Sequence, residues 1–320
     1  MEASQYTQYR PLMFSIAYRM TGSVSDAEDL VQEAFLRATK AGTKAGTKAG
    51  EIDARDNPKA YLATITTRLA IDHLRSARVR RESYVGTWLP EPLLSDGNGV
   101  ADERLRDHAP GPAELAETSD SLSLAFLVLL ESLSPPERAV FLLREVFGYG
   151  YPQIAEVTGK TEAACRQIFT RARRRIDEGR PRFETSRAEG EELTGLFLAA
   201  ARGGDMNSLI ERLAPDVLFD GDSGGLGDLS SVLPAVGRDR VAGLLRAQLA
   251  RIAELGTELQ AARVNGQPGL VLRDAGGRLI GVIAIDVLDG QIQAIRAMAN
   301  PDKLRHLGPL SQTWPLRREE

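Results

Sequence analysis

Apolar residues recur at three- and four-residue steps over residues 6–38 and 57–82, which predicts two helical stretches. In the first, Ala27, Leu30, Ala34, Phe35 and Ala38 form the buried stripe, leaving Asp29, Gln32, Glu33 and Leu36 toward the surface. Ser25 and Glu28 have the S-x-x-E spacing of a capping box and predict a helix start there. In the second, Asn57 followed by Pro58 predicts an N-cap and first helical position for a long helix, Lys59 to Arg81. Between them lies TKAGTKAGTKAG, residues 39–50. Each of its glycines costs a helix about 1 kcal/mol relative to alanine, so a mobile loop is expected; repeat expansion without function is the preferred reading, with phosphate contact by Lys40, Lys44 and Lys48 as the alternative.

The pattern changes twice more. Residues 86–120 are rich in proline, glycine and acid, the composition of a linker. A second helical unit follows over 121–187, entered through Ser134-Pro135-Pro136-Glu137, with a stripe of Val140, Leu143, Val146 and Phe147. From residue 188 the reading is helix (Glu191 to Leu213), strand (Val217 to Phe219), helix (Arg238 to Leu255), then β-branched runs broken by turn signals at Asp274-Ala275-Gly276-Gly277 and Asp289-Gly290. This third part, 188–305, is expected to be α+β, with a short tail over 306–320. At 320 residues, two or three domains are the natural division.

Residues 151–176, YPQIAEVTGKTEAACRQIFTRARRRI, carry the sharpest constellation. Ile154 and Ala155 lie on a short helix, Gly159 allows a tight turn, and Thr161 caps a second helix packed through Ala164, Cys165, Ile168, Ala172 and Ile176. That spacing is helix-turn-helix. The outward face then holds Glu162, Ala163, Arg166, Gln167, Thr170, Arg171 and Arg174, where arginine and glutamine can pair with guanine and adenine edges in a major groove. Arg68, Arg75, Arg78, Arg80 and Arg81 form a second basic cluster, interleaved with Leu69, Ile71, Leu74 and Val79.

The formal net charge of −4 conceals this division. Residues 1–85 and 121–187 are each +3, while 86–120 is −6 and 188–320 is −4, so two basic blocks flank an acidic connector that a polyanion would repel. One cysteine, Cys165, and three scattered histidines, His73, His108 and His306, offer neither a disulfide nor a metal-ligand spacing; no metal or cofactor is expected. With no apolar run of membrane-spanning length and no basic-then-apolar start, a cytoplasmic location is expected.

Taken together, these segments resemble the extracytoplasmic-function sigma factors. Asp26 to Ala38 is similar to their region 2.2, Ala60 to Glu82 to regions 2.3 and 2.4, and Ser132 to Arg175 to region 4, in order and in register. The resemblance implies core RNA polymerase as partner, through the β′ clamp coiled coil and the β flap, with Asp29, Gln32, Glu33 and Leu36 as clamp contacts. It also implies promoter DNA, the −10 element read by regions 2.3 and 2.4 and the −35 element by region 4. The GTKA repeat falls in the loop where the family reads an extruded base. Trp88-Leu89-Pro90-Glu91-Pro92-Leu93 and Asn300-Pro301-Asp302-Lys303-Leu304 are similar to signatures of the sigma-J-like subgroup, which carries a C-terminal SnoaL-like α+β cone domain. The subgroup's glycine-rich motif is present as Asp220-Gly221-Asp222-Ser223-Gly224-Gly225, without its terminal lysine.

The expected architecture is therefore two all-α sigma domains, at 1–85 and 121–187, followed by a SnoaL-like regulatory domain. Trp88, Leu89, Pro90 and Leu93 are apolar anchors in an acidic linker and, with Asn300 to Leu304, form the expected regulatory interface. SnoaL-like cones include cyclases, yet residues 188–305 lack histidine and offer only Asp220, Asp222, Asp286 and Arg296 as ionisable candidates. A small-molecule or protein ligand of that domain stays open. So do two other functions: a stand-alone helix-turn-helix regulator, and a ligand-binding or cyclase-like protein with a DNA-binding arm. Binding to core polymerase separates the first from a sigma factor, and turnover by the third domain would favour the second.

Overall fold

Chain direction in the N-terminal unit is set by a hydroxyl and a glycine. The computed structural model describes residues 3–42, 57–82, 84, 86–95, 121–179, 187–225 and 234–312. Helix α1 (Ala3–Thr21) ends where Gly22 donates its N–H to the Tyr18 carbonyl at 2.7 Å. Ser23 then accepts the Asp26 N–H on its hydroxyl at 3.1 Å and starts α2 (Val24–Gly42). The cap is thus Ser23, two residues before the expected Ser25, whose own hydroxyl bonds Ser23 Oγ at 3.0 Å. The Asp26 N–H lies three residues beyond Ser23, the spacing at which a cap hydroxyl reaches the first turn. Helix α2 also runs past Ala38 into the first repeat, with the Thr39 hydroxyl donating back to the Phe35 and Leu36 carbonyls. Lys44 and Lys48 lie outside the described residues. Helix α3 (Pro58–Glu82) begins as expected, Asn57 Oδ1 accepting the Ala60 N–H at 3.0 Å.

Among the described residues four further helices follow: α4 (Leu124–Leu130), α5 (Pro135–Glu145), α6 (Tyr151–Thr158) and α7 (Glu162–Gly179). Helices α1–α3 and residues 126–179 form one compact unit. Its core is apolar, with Met13, Phe14, Tyr18, Leu62, Leu130 and Leu142 fully buried. Three arginines add polar ties between distant segments. Arg138, almost entirely buried, donates to the Met20 carbonyl at 2.5 Å and to Glu131 at 2.7 Å. Arg68 donates to the Val157 and Glu156 carbonyls at 3.1 and 2.8 Å. Arg19 donates to the Ser121 hydroxyl at 3.0 Å and lies over the Phe147 ring; burial pushes its pKa down to about 10.

The second unit holds residues 84–95, 122–125 and the chain from 187 onward. A seven-stranded sheet runs in the order β1-β4-β5-β6-β7-β2-β3, formed by β1 (Leu94–Ser95), β2 (Leu213–Asp222), β3 (Ala235–Val236), β4 (Glu258–Val264), β5 (Gln267–Arg273), β6 (Leu279–Leu288) and β7 (Gln291–Met298). All pairings are antiparallel except β2 with β7. The helix expected over 191–213 is two: α8 (Arg187–Ala201) and α9 (Met206–Glu211), parted where Asp205 caps the second by accepting the Asn207 N–H. Leu213 already belongs to β2, whose ten residues exceed the expected three. Helix α10 (Arg238–Glu254) and both expected turns of the meander are in place. Strand β4 was not anticipated; its turn into β5 is Asn265-Gly266, both at positive φ (51 and 80°), the two-residue hairpin geometry.

Two segments expected to lie outside folded domains contribute to this unit. Residues 86–95, the start of the expected linker, supply β1, while 96–120 lie outside the described residues. Residues 306–311, the start of the expected tail, are fastened down: Leu279 N–H donates to the Pro309 carbonyl and the Ser311 hydroxyl to Asp274, both within 2.8 Å.

The sheet has two distinct faces. Phe219, Ile285, Ile295, Leu270 and Leu272 pack with Leu193, Phe197, Leu209, Val241 and Leu245 of the helices into the apolar core. The strand alternation puts Asp220, Asp222, Asp286 and Arg296 on the opposite face.

Ser23→Ala is expected to lower stability by about 1 kcal/mol in urea unfolding, and Ser25→Ala by less than half as much. Equal losses would place the cap elsewhere.

Candidate nucleic-acid interface and the clasp on its connector

Helices α5, α6 and α7 close around Val140, Leu143, Ile154, Val157, Cys165 and Ile168, with Tyr149, Tyr151, Ala155 and Phe169 packed at the margin. Val146 and Phe147, expected in the α5 stripe, lie beyond its end and are half-buried. Gly159 ends α6 in the left-handed region at φ 66°, and Thr161 caps α7, its hydroxyl accepting the Ala164 N–H at 3.2 Å. Cys165 is fully buried among these side chains. Ala163, Arg166, Gln167, Thr170, Arg171 and Arg174 are exposed along one side of α7, and Glu162 is half-buried. Two of the arginines are held by neighbours one turn away: Arg166 by Glu162 at 3.0 Å and Arg174 by Glu178 at 3.7 Å. This surface is a basic helix of groove width with its polar groups unburied.

The other basic cluster is less uniform. Arg68 is exposed, but its guanidinium is spent on two carbonyls at the C-terminal end of α6, where the helix dipole favours a cation. Arg75 is exposed and lies 3.4 Å from Asp72. Arg78, Arg80 and Arg81 occupy the end of α3, and their side chains lie outside the described residues. On α2, Asp29, Gln32 and Leu36 are exposed on one side, Leu36 to 50 %, and Glu33 bridges Arg37 at 2.7 Å.

In the second unit, Tyr84 and residues 86–93 are gripped by the sheet and the segment after it. The Asp222 carboxylate, with no exposed surface, accepts from the Tyr84 hydroxyl at 2.5 Å, the Leu89 N–H at 2.8 Å and the Gly224 N–H at 3.0 Å. Lys303 completes it, its ammonium 2.6 Å from Asp222 and donating to the Leu89 carbonyl at 2.5 Å. The same ammonium lies 4.2 Å from the Trp88 ring centre and 4.8 Å from that of Tyr84. Burial, then the Asp222 carboxylate, raise the Tyr84 phenol, so it stays a donor. Asn300 donates to the Tyr84 oxygen at 2.8 Å while capping α11 (Pro301–Leu304). Further along, Asn265 holds both main-chain groups of Leu93, and His306 Nε2 meets the Pro92 carbonyl at 2.7 Å. Pro90, Leu89, Leu93 and Leu304 are buried, Pro301 is half-buried, and Asp302 is exposed, bonded to Arg305.

The structure therefore brings Trp88, Leu89, Asn300 and Lys303 to one point. Tyr84, Asn265 and His306 were missed. A lone tyrosine or histidine carries no pattern of its own; Asn265 did have a signal, the Asn-Gly hairpin dipeptide.

Comparison with known proteins fits this arrangement. Residues 5–80 match the model of Sigma-70 region 2, and 123–176 that of Sigma-70 region 4. The chain is 35 % identical over 315 residues to the ECF RNA polymerase sigma factor SigJ of Mycobacterium tuberculosis, covering 95 % of this chain and 93 % of that one. The chain belongs to the ECF sigma factors. A probable ECF sigma factor of the same organism, SigI, is 34 % identical over 94 % of each chain. The crystal structure of M. tuberculosis SigJ superposes with a TM-score of 0.70 at 32 % identity, over 97 % of this chain and all of that one. Two helical sigma domains followed by an α+β domain are thus the architecture of this sigma factor.

Three further ionisable groups of this sigma factor's sheet, Asp220, Asp286 and Arg296, lie on the neighbouring strands β2, β6 and β7. Arg296 pairs with Asp286, and burial pushes its pKa down to about 10. Asp220 faces Arg296 across the β2–β7 pairing. Burial raises the Asp220 carboxyl above its ordinary 3.8, against the opposing pull of the Thr87 hydroxyl and Arg296. A carboxyl raised by folding contributes its full stability below the unfolded value and loses it as pH climbs through the folded one. Asp220→Asn is therefore expected to gain Tm relative to the parent as pH rises above 3.8. A difference independent of pH would mean that Asp220 ionises in the fold as it does unfolded.

Lys303→Met leaves Asp222 charged and buried, and is expected to cost about 3 kcal/mol in urea unfolding. Asp222→Asn combined with Lys303→Met should recover a large part of that loss. A double variant no better than the single would show that the ion pair is not what holds the segment.

Proposed function

We propose that this chain binds core RNA polymerase and directs promoter-specific transcription initiation, reading a −35 element with α7 and a −10 element with α3. The observation that carries the reading is the exposed face of α7, where Arg166, Gln167, Thr170 and Arg171 line one side of a helix-turn-helix inside a Sigma-70 region 4 match. Asp29, Gln32, Glu33 and Leu36 are the polymerase contacts: an acidic face with an exposed leucine complements a basic coiled coil. Arg75, Arg78, Arg80 and Arg81 serve the −10 region, and Arg68 joins them once it leaves the α6 carbonyls.

The C-terminal domain acts as a regulatory module rather than an enzyme. Its buried carboxylate Asp222 is held by Tyr84, by the Leu89 and Gly224 N–H groups and by Lys303, which leaves it unavailable as a general base. Its grip on residues 84–93 controls the connector between the two DNA-reading parts, whose separation must match the promoter spacing. The site of action is the cytoplasm, where polymerase and promoter meet. Among the described residues no helix is long and apolar enough to cross a membrane.

Transcription in vitro with core polymerase on a promoter library tests the reading, and absence of any selected promoter would overturn it. Charge reversal at Asp29 and Glu33 is expected to lower core affinity about tenfold or more with little loss of stability; parent-level affinity would move the docking face elsewhere. Because residues 305–311 are bonded to the sheet, truncation must begin beyond them. Removal from Thr313 onward should leave promoter output near the parent level and removal from Asn300 should change it strongly; equal outputs would exclude the clasp as the control point.

A further inference from the structure

We propose that Tyr151 is a positioning residue for promoter reading: its ring presets the guanidinium of Arg166 and thereby determines base preference at one position of the −35 duplex. The proposal rests on the sigma-factor reading of α7. Tyr151 is the first residue of α6, directly after Gly150 at the N-cap. It packs at the margin of the apolar core, and its ring is fixed from behind. It meets Phe169 edge-on at 6.3 Å and 73°, and Phe169 stacks on the buried Phe141 at 6.1 Å. Three rings in series thus anchor Tyr151 to the core while it remains half-buried beside the reading helix.

Arg166 uses that ring. Its guanidinium carbon lies 4.9 Å from the Tyr151 ring centre, and Glu162 holds the same group at 3.0 Å from the side. Arg144 of α5 lies 5.1 Å from the same centre and is tied to the Tyr149 carbonyl at 3.1 Å. The Glu162 bridge alone is a weak restraint, since both side chains are about half exposed and water competes for each charge. The ring adds what the bridge lacks. A planar guanidinium over an aromatic face keeps its plane as well as its place, and bidentate pairing to a guanine edge depends on that plane. An arginine already oriented loses less rotamer freedom on binding, so the gain appears as discrimination at the base it reads rather than as general attraction to phosphate. Arg144 beside it raises the local positive potential without being required to touch a base.

The experiment uses full-length factor assembled with core RNA polymerase and a promoter library randomised across the −35 region. In parent holoenzyme the library yields a preferred motif, and Arg166→Ala identifies the position that Arg166 reads by flattening it. If Arg166→Ala leaves the motif unchanged, the assignment of the reading face fails, and the role of Tyr151 with it. Given that control, Tyr151→Leu should lose about three- to tenfold in affinity for the preferred motif. Its preference should flatten at the Arg166 position alone, with the salt dependence of binding unchanged. Tyr151→Phe and Tyr151→Trp, which keep a π face, should retain the motif within about twofold, and either serves where the leucine variant loses its fold. On the Arg166→Ala background, Tyr151→Leu should cost nothing further. The proposal is overturned if Tyr151→Phe loses as much as Tyr151→Leu with a shallower salt dependence, which would make the hydroxyl a phosphate contact. A loss spread evenly over all positions, or fully additive with Arg166→Ala, also overturns it, because the ring would then be only a packing element.

Discussion

The arrangement of the C-terminal unit depends on a buried charge pair that cannot be satisfied by its two members alone. Asp222 and Lys303 are both removed from water, where attraction between the ions does not by itself offset lost hydration. The deficit is made up by the main chain of Leu89, whose N–H serves the carboxylate and whose carbonyl serves the ammonium. A peptide group used in this way has one position and one orientation. Tyr84 and Trp88 follow from it, because the phenol completes the carboxylate and both rings cover the ammonium. The segment is therefore registered on the sheet by electrostatics, with apolar burial of Leu89 and Leu93 adding strength but little direction.

The helical unit applies the same chemistry in a different form. Two of its long-range polar ties, from Arg68 and Arg138, run from arginine side chains to main-chain carbonyls, at Met20, Glu156 and Val157. Carbonyls at a helix end are acceptors without an internal partner, and a guanidinium can serve two at once. Such ties specify which helix ends meet, which an apolar core alone leaves loosely defined. Arg68 is such a case, its guanidinium serving two carbonyls at the end of α6.

The parts of this structure legible in the sequence are those with short-range signatures. The α7 stripe, the Thr161 cap, the Asn57-Pro58 start and the two Gly-containing turns of the meander each arise from residues within one turn of one another. Boundaries failed where a neighbour changed the local choice. Ser23 displaced Ser25 because the Asp26 N–H was within its reach, and Asp205 divided one expected helix into two. Strand β4, with few β-branched residues, gave no clear alternation, although Asn265-Gly266 marked its end. In the candidate sites, apolar outliers in an acidic stretch identified Trp88, Leu89 and Leu93. Nothing identified Tyr84 or His306, whose partners lie more than a hundred residues away.

That separation also bears on timing. Leu89 lies 133 residues before Asp222 and 214 before Lys303, and Leu93 lies 172 before Asn265. A ribosome moving at ordinary speed takes on the order of ten seconds or more to cover such a distance, far longer than helices need to form. The basic helices are thus complete while the carboxylate, the ammonium and the strand that will hold the connector have yet to be made. A newly emerging molecule passes through an interval in which these helices exist and the partners of Leu89 and Leu93 do not, and the length of that interval is set by the order of segments along the chain rather than by any binding constant.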